Sequence, residues 1–173
     1  MTTKMRLFTA INFNDQTKNE LVALRGELRS HSERGNFSRD ENLHLTLVFI
    51  GECSPNKIDK IKAIIDTVTF APFEIAVDRL GTFSCGTLWW AGLRKDKPLM
   101  DLQREIEHKF ALCGFEMDGR DYHPHITLGR EVVTDKKPWK IEPFGETVTS
   151  IELMKSERIN GKLTYSAVYM RKP

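Results

Sequence analysis

Leu43-His44-Leu45-Thr46-Leu47-Val48-Phe49 and Pro124-His125-Ile126-Thr127-Leu128-Gly129 repeat one pattern, His-x-Thr inside an apolar run, with the two histidines 81 positions apart (125 − 44). Each run has the length and aliphatic content of a buried strand. Side chains alternate across a strand, so each His shares a face with the Thr two places on, while Leu45 or Ile126 points the other way. Each segment therefore aims an imidazole and a hydroxyl in one direction. If the two strands meet, two imidazoles and two hydroxyls surround one small anionic group, with one ring placed to take a proton and the other to give one. That geometry suits phosphate ester chemistry. A core histidine bonded to its neighbouring threonine would account for either copy alone. With 5 His in 173 residues, however, composition supplies fewer than one such match by chance, and two copies on apolar strands read as a matched pair.

A chain of 173 residues is long enough for one ample core, or for two small lobes sharing one, without help from metals or disulfides. A single domain over residues 1–173 is expected. The composition, 40% hydrophobic and 29% charged, is that of a folded soluble protein, and no stretch approaches the apolar length of a membrane span. The apolar opening from Met5 to Ile11 is too short for a secretory signal and is soon broken by Asn12 and Asn14. A cytoplasmic monomer with no membrane partner and no obligate protein partner is the expectation. Cys53, Cys85 and Cys113 lack Cys-x-x-Cys spacing, and the histidines lack an acidic cluster, so neither a metal nor a cofactor is expected. Cys113 is expected to pack at a helix end, and Cys85 to lie on the surface in a Ser84-Cys85-Gly86 turn. The net charge of +2 says little, but Lys136-Lys137, Lys140 and Arg171-Lys172 could favour a polyanion.

Helical spacing of Leu21, Leu24 and Leu28 behind Asn14 or Asp15 predicts a first helix; Ser54-Pro55 opens a second with Ile58, Ile61 and Ile65 on one face. Asp96 and Pro98 open a third, with Leu99, Leu102, Ile106 and Phe110 facing the core. Strands are expected at Arg6–Asn12, Phe73–Leu80, Thr87–Gly92, Thr147–Met154 and Leu163–Met170, the last two joined through Asn160-Gly161. Ser30–Asn42 reads as a polar loop. Strand, helix, loop, His-x-Thr strand thus occurs twice, as if a lobe of about 80 residues were laid down in duplicate. Two such lobes related by a pseudo-twofold axis would bring the His-Thr faces together.

The opening Arg6-Leu7-Phe8-Thr9-Ala10-Ile11, the block Asn42-Leu43-His44-Leu45-Thr46-Leu47-Val48-Phe49-Ile50-Gly51 and the block His123-Pro124-His125-Ile126-Thr127-Leu128-Gly129-Arg130 resemble the two-histidine phosphoesterase superfamily. The resemblance is to its RNA 2',3'-cyclic phosphodiesterase branch, also described as 2'-5' RNA ligases. It runs over nearly the full length, and Leu88-Trp89-Trp90-Ala91-Gly92 supports the same branch. It implies an α+β, bilobal, duplicated fold with antiparallel sheets around a central cleft and helices on the outside. It implies catalytic roles for His44 and His125, in the HxTx motifs, and phosphate binding by Thr46 and Thr127. Arg130 matches a basic residue after the second motif, although Gly129 separates it from the strand. His123, two places before His125, is a candidate for contacting substrate or supporting His125. His31 and His108 lack the motif and are expected to have ordinary roles.

The implied reaction is hydrolysis of RNA 2',3'-cyclic phosphate ends to a 2'-phosphate, without a metal. His125 would draw a proton from water and His44 would protonate the departing 3' oxygen, or the two roles would be exchanged. Joining RNA ends through a 2'-5' bond would be the same chemistry in reverse. Arg130 could add a charged fork to the phosphate, and Phe49, Trp89, Trp90 or Tyr122 could stack on a base. A phosphodiesterase for small cyclic nucleotides and a noncatalytic RNA-binding protein are the competing readings.

Overall fold

In the computed structural model, which describes residues 3–83 and 85–173, β1 (Met5–Ile11) leads into α1 (Asp15–Ser30), β2 (Ser32–Phe37) and β3 (Leu45–Cys53). Next come α2 (Ile58–Asp66), β4 (Phe73–Phe83), β5 (Leu88–Leu93) and α3 (Lys97–Leu112). The chain ends with β6 (His125–Thr134), β7 (Trp139–Val148), β8 (Ile151–Ile159) and β9 (Lys162–Arg171). Asn14 caps α1, its side-chain oxygen accepting from the Thr17 N–H at 2.8 Å. Pro55–Lys57 forms a single 3₁₀ turn, and α2 begins only at Ile58, because the Ser54 hydroxyl is turned toward Asn56 instead of capping the helix. The expected stripes of α1 and α3 are buried; in α2 Ile61 and Ile65 are buried as expected, joined by Ile64, while Ile58 at the helix start is only partly buried.

The strands form two antiparallel sheets, ordered β3-β1-β8-β9 and β2-β6-β5-β4-β7. The architecture is α+β, with helices against antiparallel sheets. One apolar cluster joins Leu7 and Ile11 of β1, Leu45 and Leu47 of β3, and Ile126 and Leu128 of β6 to the buried stripes of the helices. Helix α3 touches β3 of one sheet and β4 of the other.

Two strands were not legible in the pattern. Ser32–Phe37, expected as loop, is β2, paired along β6; Trp139–Val148 is β7, paired along β4. Both are edge strands of the five-stranded sheet: β2 is mostly exposed and carries no apolar alternation, while in β7 the alternation of Trp139 and Ile141 with Lys140 and Glu142 is interrupted at Pro143 before Phe144 returns to the core. The last hairpin lies further along than expected, with β8 at Ile151–Ile159, and turns through Asn160 (φ 52°) and Gly161 (φ 77°). Cys113 caps α3 but is exposed. Gly114 turns left-handed there, the Phe115 N–H returns to the Phe110 carbonyl, and the Phe115 ring takes the packing position against Phe110. Cys85 is exposed, as expected; Ser84 of the expected turn lies outside the described residues.

Candidate active site

Both His-x-Thr strands carry a β-bulge at the same place in the motif. On β3, Thr46 faces Ala10 but Val48 faces Thr9, leaving Leu47 as the extra residue. On β6, Thr127 faces Trp90 but Gly129 faces Trp89, leaving Leu128 as the extra residue. A bulge shifts the alternation by one. The residues five places beyond each histidine, Phe49 and Arg130, therefore return to the face that carries the His and the Thr, whereas strict alternation would bury them. Phe49 lies directly across from Phe8 and is 48% exposed; Arg130 is exposed as well. Gly129, which the bulge turns inward, has no room for a side chain: a Cβ there would lie 2.9 Å from Val132 Cγ2 and 3.0 Å from the Phe37 ring.

Each bulge is held by groups from elsewhere in the chain. The buried Thr9 hydroxyl accepts from the Val48 N–H (3.1 Å) and donates to the Val48 carbonyl (3.4 Å), and Gln103 Nε2 of α3 donates to the Leu47 carbonyl (3.3 Å). On β6, the Ser38 N–H donates to the Leu128 carbonyl (2.9 Å), while the Ser38 hydroxyl donates to the Thr127 carbonyl (2.8 Å).

The imidazoles are fixed in the same way as each other. His44 Nδ1 donates to the Asn42 carbonyl at 2.7 Å, and His125 Nδ1 donates to the His123 carbonyl at 2.6 Å. A carbonyl only accepts, so Nδ1 carries the hydrogen in both rings and each neutral ring keeps its lone pair on Nε2. His44 Nε2 meets the Thr46 hydroxyl at 2.9 Å. His125 Nε2 has no hydrogen-bond partner among the described residues, and neither does the half-buried Thr127 hydroxyl. Burial lowers the pKa of both histidines below the ordinary 6.5 more strongly than the carbonyl bonds raise it; the charge of His125 further lowers that of His44. The charges of His123 and Arg130 act on His125 in the same sense.

The two faces are close together across the sheets. β3 approaches β6, and the Tyr122 hydroxyl, just ahead of β6, donates to the Thr46 carbonyl of β3 at 2.7 Å. Burial pushes the Tyr122 phenol up, so it stays a donor. Arg130 of β6 is near enough to both to act electrostatically on Tyr165 of β9 as well as on His125. The bulge at Leu128 turns Arg130 to the face of His125 although Gly129 lies between it and the motif.

Aromatic rings wall each histidine. Phe8 and Tyr165 lie 5.1 and 4.8 Å from the His44 ring; Phe83 and Trp90 lie 5.1 and 6.2 Å from that of His125. Of the four aromatics considered from sequence, Phe49 and Trp90 reach this face, Trp89 is buried on the core side, and Tyr122 is engaged with β3. Tyr165 and Phe83 belong to no motif, and Phe8, although inside the opening block, has nothing in its local sequence to mark it as a neighbour of His44. All three reach the site only through the pairing and packing of strands distant in sequence. The exposed His123 side chain accepts from Lys95 Nζ at 3.2 Å, and its carbonyl is the group that holds His125. His108 is exposed, and His31 ends α1 and lends its carbonyl to Thr134. Among the described residues no three His, Cys, Asp or Glu side chains cluster as metal ligands, and no helix is long and apolar enough to cross a membrane.

The chain matches the family described as LigT like Phosphoesterase over residues 11–89 and 92–165. His44 and His125 each stand 33 positions beyond the start of their matched segment (44 − 11 and 125 − 92). An RNA 2',3'-cyclic phosphodiesterase of Archaeoglobus fulgidus is 31% identical over 151 residues, 82% of this chain and 85% of that protein. One of Escherichia coli is 28% identical over 173 residues, covering 96% of this chain and 95% of that protein. The crystal structure of E. coli LigT complexed with 3'-AMP superposes with a TM-score of 0.85 over 98% of both chains, at 26% identity. This chain belongs to the LigT-like phosphoesterase family and has its two-sheet fold.

Proposed function

We propose that this protein hydrolyses 2',3'-cyclic phosphate ends of RNA to 2'-phosphates by acid–base catalysis between His44 and His125, without a metal, within one domain of two pseudo-symmetric lobes. The observation that carries the reading is the matched clamp: both rings are pinned through Nδ1 to a carbonyl two residues upstream, which leaves both Nε2 atoms for chemistry. The substrate class is supported by the relatives of Archaeoglobus fulgidus and E. coli, which bear the name RNA 2',3'-cyclic phosphodiesterase.

The asymmetry of the site favours His125 as base and His44 as acid. The cationic Arg130 disfavours a proton on His125, whose Nε2 is open to a water. In the reaction a water oxygen bonds to phosphorus while its proton passes to His125 Nε2. The phosphorus–O3' bond breaks, and the proton on His44 Nε2 passes to O3', leaving a 3'-hydroxyl and a 2'-phosphate. When His44 carries its second proton, the bond to Thr46 reverses and frees the Thr46 hydrogen for a nonbridging phosphate oxygen. Thr127 and Arg130 supply the other donors to the charge that develops there. A 5'-hydroxyl in place of the water, with the same proton transfers, gives 2'-5' joining.

The test is incubation with a short RNA ending in 2',3'-cyclic phosphate, EDTA present, with product position resolved. Wild type should yield the 2'-phosphate, and His44→Ala and His125→Ala should each lose about 10²- to 10⁴-fold in kcat while their circular dichroism stays that of the folded chain. Undiminished turnover in either variant, or a 3'-phosphate product, would remove the mechanism.

A further inference from the structure

The bulge at Leu47 leaves a feature that the hydrolytic step does not use. Phe49 is a large apolar side chain, 48% exposed, in a strand whose other aliphatic residues are buried. It sits on the same face as His44 and Thr46, across from Phe8, whose ring touches that of His44. The Arg6 guanidinium lies 4.9 Å from the centre of its ring. Arg6 is exposed and has no carboxylate within ion-pair distance among the described residues, although Glu52 is its cross-strand neighbour. It is also near enough to Tyr165, which packs on His44, to act on it electrostatically. An exposed aromatic ring with a guanidinium stacked over one face and no carboxylate holding that guanidinium, one step along the sheet from a phosphate-handling centre, is the chemistry with which proteins hold single-stranded nucleic acid.

We infer that Phe49 and Arg6 form a subsite for the nucleotide preceding the cyclic phosphate terminus, its base stacking on the Phe49 ring and the phosphodiester linking it to the terminal nucleotide held by Arg6. The inference rests on the proposed action on RNA ends and adds which way the RNA runs. In-line attack from the His125 side places the ribose toward His44, so the chain leaves over the sheet that carries β1 and β3. The subsite makes an oligonucleotide a better substrate than a cyclic mononucleotide, which engages only the phosphate centre.

The experiment compares kcat/KM for adenosine 2',3'-cyclic phosphate with that for the adenylyl dinucleotide ending in the same cyclic phosphate, and for that dinucleotide with its 5' base removed. Wild type should prefer the intact dinucleotide over the mononucleotide by about tenfold, within the range of one base stacked on an aromatic ring. The abasic dinucleotide should lose most of that preference. Phe49→Ala should bring the ratio for the intact dinucleotide close to that for the abasic one, and Phe49→Tyr should restore it. Arg6→Gln should lower the slope of log kcat/KM against log salt for the dinucleotide by about one. Equal kcat/KM for mononucleotide and dinucleotide in wild type, or a ratio that Phe49→Ala leaves unchanged, would overturn the subsite and leave the hydrolytic reading standing. Failure of folded wild type to turn over any of the three would overturn both.

Discussion

At His44 and His125 a backbone carbonyl does the work that a carboxylate does in many acid–base sites: it fixes the tautomer and the ring orientation. A carboxylate would add a negative charge and raise the imidazole pKa. The carbonyl raises it less, so burial prevails and both rings titrate below 6.5. Acid–base action needs one ring protonated and one neutral, and with both pKa values below 6.5 that singly protonated form is lost as pH rises through neutrality. The free enzyme's kcat/KM should therefore peak on the acid side of pH 6.5, and kcat at a higher pH, since bound phosphate stabilises an imidazolium. Parallel pH profiles of the two constants check this, and a kcat/KM maximum on the alkaline side of neutrality would contradict it. The same shifts make the unfolded chain bind more protons below pH 6.5, so their contribution to stability is complete above that pH and is lost as pH falls through the folded-state values. Thr46 and Thr127 are alike in sequence but not in setting: one is bonded to its histidine and the other is open.

At the level of the strand, the paired bulges decide which residues accompany the histidines. They turn Phe49 and Arg130 toward the site and Val48 and Gly129 inward. A bulge leaves backbone groups off the ladder, and the Thr9 hydroxyl occupies that position on β3 by bonding both the N–H and the carbonyl of Val48. Thr9→Val keeps the shape and β propensity but removes the hydroxyl in a fully buried place. It should destabilise the protein by about 1–3 kcal/mol, which for a chain of this size lowers the melting temperature by roughly 2–4 °C per kcal/mol, whereas Thr9→Ser should stay closer to wild type. Thermal unfolding of the two variants measures it, and a Val variant as stable as wild type would show that the hydroxyl does not support the bulge. Helix α3 contributes through Gln103, a buried polar residue inside an otherwise apolar stripe, bonded to Leu47 and Glu107.

Across the whole molecule, the problem is to keep histidines from two different sheets in register with each other. The shared core and α3 join the sheets, and Tyr122 crosses directly from the chain ahead of β6 to the Thr46 carbonyl. Tyr122→Phe keeps the ring but leaves that carbonyl without its donor, at a cost of about 1 kcal/mol. Because small misplacements of reacting groups are expensive in rate, kcat should fall more than KM rises. Steady-state kinetics with calorimetry tests this, and wild-type kcat in the variant would mean that the core alone sets the spacing. The sequence by itself determined the family and the local features of the site: the two His-x-Thr strands, the alternation that puts each Thr beside its His, the helices, and the α+β class. Those features live in short windows, where periodicity and side-chain type are enough. Only the tertiary structure decided the tautomers, the direction of Arg130 and Phe49, the walls of Tyr165 and Phe83, and the two edge strands. Each of these depends on backbone groups or on partners far along the chain: Thr9 is 39 residues from the Val48 that it holds, and Tyr122 is 76 from Thr46. A backbone carbonyl is the same in every residue, so no residue type announces which one will clamp a histidine, and the register that makes a bulge exists only once two strands have met.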